Sequence, residues 1–292
     1  MAISPAATKV GFVGTGVMGS SMAKHLLNGG YEVHIYTRTK EKAAELLELG
    51  MVWHDSQGEL ASVCGAIITI VGYPSDVEDI YLSKSGIIGS AKPGTYLIDM
   101  TTSSPALAVR IHEAAAAAGQ HSLDAPVSGG DIGARNAALS IMVGGDEATF
   151  TEVQPLLSLM GKNIVLQGGP GAGQHTKMVN QIAIASNMIG VCEALVYAKH
   201  AGLNLESVLR SIESGAAGSW SLSNLAPRVI AGNFEPGFFV KHFIKDMGIA
   251  LDAAAEMGIE LPGLSLAKEL YGRLADAGLA DKGTHALYLA WD

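Results

Sequence analysis

Two cysteines in 292 residues leave no room for a disulfide framework or a cysteine-built metal site. Cys64 and Cys192 stand alone, in neither a ligand nor a redox spacing, and both are expected to be reduced core residues. Charge is scarce too: 16% of residues are charged, the net charge is −9, and no basic cluster occurs. That excludes an electrostatic footprint for nucleic acid or for an anionic membrane surface. The opening residues 1–8 have neither the basic nor the apolar segment of an export signal, so a cytoplasmic location is expected. The most apolar stretch, Val179 to Ala198, carries Asn180, Gln181, Asn187 and Glu193, which would be expensive in hydrocarbon. It therefore reads as a buried helix rather than a membrane span. Repeats and low-complexity linkers are missing as well, which leaves small molecules and further copies of the chain as the expected partners.

What is present is apolar residue in quantity, 48% of the chain, enough for substantial cores. Short apolar runs alternate with helical patterns through Leu166. Val10–Val13, Tyr31–Tyr36, Ala66–Val71, Tyr96–Asp99, Ser122–Ala125, Leu139–Val143 and Ile164–Leu166 read as strands. This alternation predicts an α/β fold, a doubly wound parallel sheet built from βαβ units. Ser56 with Glu59 forms a capping box, and Ser104-Pro105 starts an alanine-rich helix. After Gly168-Gly169-Pro170-Gly171 strand signals almost vanish, and long helical patterns begin with an apolar one from about Gln174 to Ala201. We place the expected boundary there: a dinucleotide-binding domain over 1–167 and an all-helical substrate and dimerisation domain over 168–292. A long helix that is apolar all round must be enclosed, which makes a homo-oligomer, dimer or tetramer, the expected assembly.

Gly14-Thr15-Gly16-Val17-Met18-Gly19 follows the first strand and opens a helix that leads to a second strand. Strand, glycine motif, helix and strand in one short unit form a dinucleotide fingerprint. Gly14 permits the tight turn, Gly16 admits the pyrophosphate, Gly19 allows close packing, and the N–H groups around Val17 and Met18 face the phosphates. Where a site for the unphosphorylated cofactor carries an acid at the end of the second strand, this chain reads Tyr36-Thr37-Arg38-Thr39. The guanidinium fork of Arg38, with the Thr37 and Thr39 hydroxyls and the charge of Lys40, suits a 2′-phosphate. NADP is the expected cofactor and NAD the alternative; a solvated loop is the other assignment for Arg38. Val71, at the end of the third predicted strand, fits the adenine or ribose side, and Thr101 the neighbourhood of the nicotinamide; a loop and helix cap would also account for Thr101.

Two further segments suit a substrate. Ser128-Gly129-Gly130 exposes successive backbone N–H groups beside a hydroxyl, able to hold a carboxylate, although an ordinary glycine-rich connection is the simpler alternative. Lys177, Asn180 and Gln181 share one helical face. A lysine on a buried helix is costly unless paired or working, and desolvation favours its neutral amine, which would let Lys177 exchange a proton with a substrate hydroxyl. A lysine snorkelling from the helix start is the other reading.

Taken together, Gly11 to Gly19 with Met22-Ala23, Asp124 to Gly130, Gly171-Ala172-Gly173 with Lys177 and Asn180, and Lys245-Asp246 resemble the β-hydroxyacid dehydrogenase family over nearly the whole chain. That family includes 3-hydroxyisobutyrate dehydrogenases and tartronate semialdehyde, glyoxylate and succinic semialdehyde reductases. The resemblance implies hydride transfer between a nicotinamide and a small hydroxy acid or its semialdehyde. In it Lys177 is the acid/base, Ser128, Gly129 and Gly130 bind the substrate carboxylate, and Asn180 supports both. Thr101 lies in the nicotinamide pocket and Lys245 reaches towards the cofactor; without the resemblance, Lys245-Asp246 would be a surface charge pair. Gln181 replaces an asparagine common in relatives and is expected on the substrate side. Trp220 closes the pocket or packs in a core. The related 6-phosphogluconate dehydrogenases use a glutamate where this chain has Ile184, which cannot donate a proton, so decarboxylation is not expected. Imine reductases usually replace the lysine. The reading from a different class is a non-catalytic NADPH-binding sensor, for which Lys177 and the Ser128 loop would be superfluous.

Overall fold

The computed structural model describes residues 3–291. The chain divides into two compact units, 1–177 and 178–292. Among the described residues the first contains nine strands: β1 (Lys9–Val13), β2 (Glu32–Tyr36), β3 (Val52–Trp53), β4 (Ala66–Thr69), β5 (Tyr96–Asp99), β6 (His121–Asp124), β7 (Val127–Ser128), β8 (Leu139–Gly145) and β9 (Gly161–Gly168). Between them run α1 (Gly19–Asn28), α2 (Ala44–Glu48), α3 (Gln57–Val63), α4 (Pro74–Leu82), α5 (Ile87–Ser90), α6 (Pro105–Ala117), α7 (Gly130–Arg135) and α8 (Glu147–Leu157). α9 (Ala172–His200) crosses the division. The second unit is helical, with α10 (Leu205–Ile212), α11 (Trp220–Asn224), α12 (Ala226–Ile230), α13 (Val240–Glu256) and α14 (Pro262–Leu274).

The sheet order is β3-β2-β1-β4-β5-β6-β8-β7, with β9 beside β8. β1 to β6 pair in parallel, as βαβ connections require. The expected doubly wound, mainly parallel sheet is present, and antiparallel pairing is confined to its far edge. β8 runs antiparallel to β6 and β7, and β9 is parallel to β8. The short β3 and β7, two residues each, escaped the sequence pattern because neither is long enough to show a period. Both faces of the sheet are covered. Val10, Phe12, Met22, Leu26 and Ile35 belong to one core cluster, and Val13, Leu60, Ile67, Tyr81 and Leu97 to another, which is why the central strands read as continuous apolar runs.

Helix punctuation follows the sequence closely. Ser56 Oγ accepts from Glu59 N at 3.1 Å, and Ser104 Oγ from Leu107 N at 3.4 Å. In the capping box the return bond goes one residue further back than expected, Glu59 Oε2 accepting from Asp55 N at 3.1 Å. The second unit has its own core, with Met188, Cys192, Phe243, Met247 and Tyr271 buried together. Cys64 and Cys192 are both buried with free thiols, and burial pushes each thiol up to about 12, so neither offers a thiolate near neutrality. Among the described residues α9 alone has the length and hydropathy to cross a membrane. Four of its polar residues, Gln174, Lys177, Asn180 and Gln181, are engaged inside the protein, as shown below, and Glu193 is exposed on its surface.

Candidate active site

The glycine turn is built by close approach. Gly14 has φ +97°, and a Cβ there would stand 2.1 Å from Ile70 O; a Cβ on Gly19 would stand 2.0 Å from Gly14 O. Nothing lies within 4 Å of the place a Cβ on Gly16 would take. The backbone at Gly16 is thus open to a ligand while its neighbours are closed. Val17 is exposed beside it, and α1 starts after Met18 without a side-chain cap. An uncapped helix start behind an open glycine suits an anionic pyrophosphate. The residues fit a dinucleotide, and the hydroxyl of Thr15, buried without a hydrogen-bond partner, lies in the same turn.

At the end of β2, Thr37 is half-buried while Arg38 and Thr39 are exposed. Arg38 is not solitary: its Nη1 stands 3.2 Å from Asp76 Oδ1. Lys40, expected to add charge beside Arg38, instead holds its ammonium over the Trp53 ring, 5.2 Å from the centroid. Thr101 is buried and joins two strand ends: its Oγ1 accepts from Val71 N at 3.0 Å, and its own N–H donates to Asp99 Oδ1 at 3.1 Å. Its carbonyl accepts from Gln174 Nε2 at 2.7 Å, while Gln174 Oε1 accepts from Ser103 N at 2.9 Å. Gln174 lies one turn before Lys177 on the same face, the signal by which the sequence could have disclosed it.

Two buried acids underlie this region. Asp99 is pushed up to about 6 by burial, against hydrogen bonds from Thr69 and Thr101, with the charge of Asp124 adding to the push. Since its ordinary value is 3.8, the folded chain holds a proton between those values that the unfolded chain does not. The sign is therefore a stability contribution that rises as pH falls through 6, on the order of 3 kcal/mol in full. The Tm of wild type minus that of Asp99→Asn is expected to increase between pH 7.5 and pH 5; a flat difference would refute the assignment. Asp124 acts as a clamp. Its Oδ1 accepts from Gly171 N at 2.8 Å and its Oδ2 from Gln174 N at 2.7 Å. A Cβ on Gly173 would meet Asp124 O and Met142 O, each at 2.5 Å, so the start of α9 lies flush on β6 and β8.

The clamp sets Lys177. Its Nζ donates to Val127 O at 2.8 Å, and the side chain is buried. Val127 directly precedes Ser128-Gly129-Gly130, where Gly129 has φ +128° and Gly130 φ +61°. Only glycine tolerates such a pair of left-handed residues without strain. Ser128 is half-buried. The structure therefore brings Lys177 to the predicted carboxylate-binding loop, although the two are about fifty residues apart in sequence.

Within the second unit, Asn180 is half-buried and its Nδ2 donates to Gln181 Oε1 at 2.7 Å. Gln181 is fully buried and passes the chain on, Nε2 donating to Asp246 Oδ2 at 2.6 Å. Lys245 Nζ stands 3.0 Å from Asp246 Oδ1. Lys245 and Asp246 are thus not a surface pair: their side chains are 12% and 2% exposed. Gln181, expected on the substrate side, uses both ends of its amide inside the protein. Trp220 is 62% exposed, which excludes core packing for it. Asp246 escaped the sequence reading as a residue in its own right because an acid beside a lysine on a helix looks solvated.

Residues 9–169 match the model of the NAD binding domain of 6-phosphogluconate dehydrogenase, and residues 171–291 match that described as NAD-binding of NADP-dependent 3-hydroxyisobutyrate dehydrogenase. The chain belongs to the β-hydroxyacid dehydrogenase family. Among its relatives in that family is a probable mitochondrial 3-hydroxyisobutyrate dehydrogenase-like protein of Arabidopsis thaliana, 48% identical over 99% of this chain and 86% of the relative. The 2-hydroxy-3-oxopropionate reductase of Escherichia coli is 38% identical over 92% of each chain. The solved structure of Mycobacterium tuberculosis 3-hydroxyisobutyrate dehydrogenase with L-serine is similar at a TM-score of 0.88, with 31% identity, 97% of this chain and 98% of that one covered. A β-hydroxyacid dehydrogenase is an oxidoreductase that uses a nicotinamide cofactor, and the open Gly16 turn is where this chain would hold it.

Proposed function

We propose that this β-hydroxyacid dehydrogenase transfers a hydride between NADP and a small β-hydroxy acid or its semialdehyde, with Lys177 as the acid/base. The observation that carries the reading is the 2.8 Å bond from Lys177 Nζ to Val127 O, which fixes a buried amine beside the Ser128-Gly129-Gly130 loop. The nicotinamide supplies the hydride acceptor or donor. Ser128 Oγ and the N–H groups of Gly129 and Gly130 bind the substrate carboxylate, and this orients the hydroxyl-bearing carbon. Lys177 Nζ takes the hydroxyl proton in oxidation and returns it in reduction. Asn180, one turn further along α9, hydrogen-bonds the substrate or the lysine. Gln181 is best read as a positioning residue that holds Asn180 through its own bond to Asp246.

The substrate class is supported by the relatives. One is named for 3-hydroxyisobutyrate, one for 2-hydroxy-3-oxopropionate, and a third was determined with L-serine; all three compounds are small carboxylates with oxygen on the β-carbon. NADP over NAD is supported by Arg38 and by the absence of an acid at the end of β2. Thr37, Thr39, Val71 and Thr101 keep their proposed places in the cofactor site, Lys245 its cofactor-side role, and Trp220 its substrate-side role. A cytoplasmic homo-oligomer completes the reading, with Tyr197 and Leu203, 75% and 52% exposed near the end of α9, as apolar surface for a second copy.

The test is NADPH oxidation against glyoxylate, tartronate semialdehyde, succinic semialdehyde and methylmalonate semialdehyde, each repeated with NADH. Turnover of tartronate semialdehyde or methylmalonate semialdehyde, at least tenfold more efficient with NADPH, is the expected result, and turnover confined to glyoxylate or succinic semialdehyde would overturn the β-hydroxy acid assignment. Silence across the panel with tight NADPH binding would overturn the catalytic reading in favour of a sensor. Equal efficiency with both cofactors would overturn the assignment of NADP.

A further inference from the structure

We propose that Asp76 is a specificity-determining residue of the cofactor site, restraining the preference for a 2′-phosphate by partly neutralising Arg38. The inference rests on the reading of Arg38 as the 2′-phosphate ligand. An acid at the end of β2 is the usual device for accepting the ribose 2′-hydroxyl in a site of this fold. Here that position holds Thr37-Arg38-Thr39, and the acid arrives instead from α4.

The sheet order explains how. β1 lies between β2 and β4, all three parallel, so the segments after β2 and after β4 flank the glycine turn at the carboxyl edge where ligands bind. Asp76 lies in the first turn of α4. Its Oδ2 accepts from Tyr73 N at 3.2 Å and its Oδ1 faces Arg38 Nη1 at 3.2 Å. The backbone bond fixes the carboxylate. Its side chain is 19% exposed, whereas that of Arg38 is 77% exposed, so the acid is the anchored partner and the guanidinium the movable one.

A 2′-phosphate, with a charge of about −1.5 to −2 near neutrality, must take the Arg38 fork away from Asp76 and then remain close to that carboxylate. A 2′-hydroxyl meets no such repulsion and can donate to the acid. Lys40, engaged over Trp53, does not take the place of Arg38. The pair therefore works in opposite senses on the two cofactors: Arg38 favours the phosphorylated one, and Asp76 narrows the margin.

Asp76→Asn keeps an acceptor for Tyr73 N–H while removing the charge. Dissociation constants for NADPH and NADH are measured by calorimetric titration of wild type, Asp76→Asn, Arg38→Gln and the double variant. The ratio of NADH to NADPH constants is expected to rise at least fivefold in Asp76→Asn, mainly through tighter NADPH. The gain should shrink between 0.05 and 0.5 M salt, since exposed charges are screened, and in the Arg38→Gln background should fall to the part due to direct repulsion between Asp76 and the phosphate. A smaller change in the ratio, an equal change for both cofactors, or a weaker preference for NADPH would each overturn the role of Asp76. Arg38→Gln alone reports on the underlying reading: if it weakens NADPH less than threefold, Arg38 is not the phosphate ligand, whatever Asp76→Asn does.

Discussion

Lys177→Ala is expected to lower kcat by about 10²–10⁴-fold, the usual contribution of a positioned acid/base, while the dissociation constant for NADPH stays within threefold of wild type. The two readouts separate because the residues that fit the dinucleotide, Gly14 to Gly19 and Thr37 to Thr39, lie in the turn from β1 into α1 and in the loop after β2, whereas Lys177 bonds to Val127 O. Alanine also removes a cation that would attract the substrate carboxylate, so a second variant divides the roles. Lys177→Arg keeps the positive charge and the donors but does not release a proton near neutrality. If proton transfer is the main function, arginine is expected to lose nearly as much kcat as alanine while keeping KM closer to wild type. Steady-state rates with NADPH and the best substrate of the panel, together with a fluorescence titration of NADPH, decide it. Turnover of either variant within tenfold of wild type would remove Lys177 from the chemistry.

Much of this site was legible in the chain because the relevant signals are local. The glycine turn is contiguous and flanked by a strand and a helix, so Gly14, Gly16 and Gly19 could be given separate duties before any fold was known. The same holds for the lysine, whose burial follows from the apolar residues around it. The relationships that escaped are tertiary. Nothing in the sequence near Arg38 mentions Asp76, which lies at the head of another helix and reaches Arg38 only because β2 and β4 flank β1. Likewise Gln181 looked like a ligand because its spacing from Lys177 is helical; only the partner Asp246, far along the chain, shows that its amide is already occupied. The antiparallel β8 was illegible for a related reason. Leu139–Gly145 alternates partly buried and buried residues like any strand, and direction depends on the path of the chain rather than on its pattern. Trp220 shows the limit of residue type as a guide: a large aromatic suggests a core, yet it stands in solvent.

Asp124 offers the sharpest case of a residue whose function is structural support for chemistry performed elsewhere. Its carboxylate accepts from Gly171 N and Gln174 N, both at the start of α9 and both donors that the helix cannot satisfy internally. Burial raises its pKa, while those backbone bonds pull the other way; the group is costly to bury and is kept in place by what it binds. Asp124→Ala leaves two buried N–H groups without acceptors, at roughly 1–3 kcal/mol each, for a total of about 2–6 kcal/mol. Asparagine is no remedy, because a carboxylate presents acceptors on both oxygens whereas an amide presents its NH₂ to one of the two N–H groups. Asp124→Asn is therefore expected to cost about 2–3 kcal/mol, far more than its near-identical shape suggests. The activity should fall with the stability, since Lys177 sits one turn after Gln174 and depends on the same tether for its bond to Val127 O. Urea unfolding followed by far-UV circular dichroism, with kcat measured in parallel, tests both claims. Asparagine within about 0.5 kcal/mol of wild type would show that the two N–H groups do not both need the acid, and full stability with unchanged kcat in the alanine variant would show that α9 is held in place by packing of Gly173 against β6 and β8 alone.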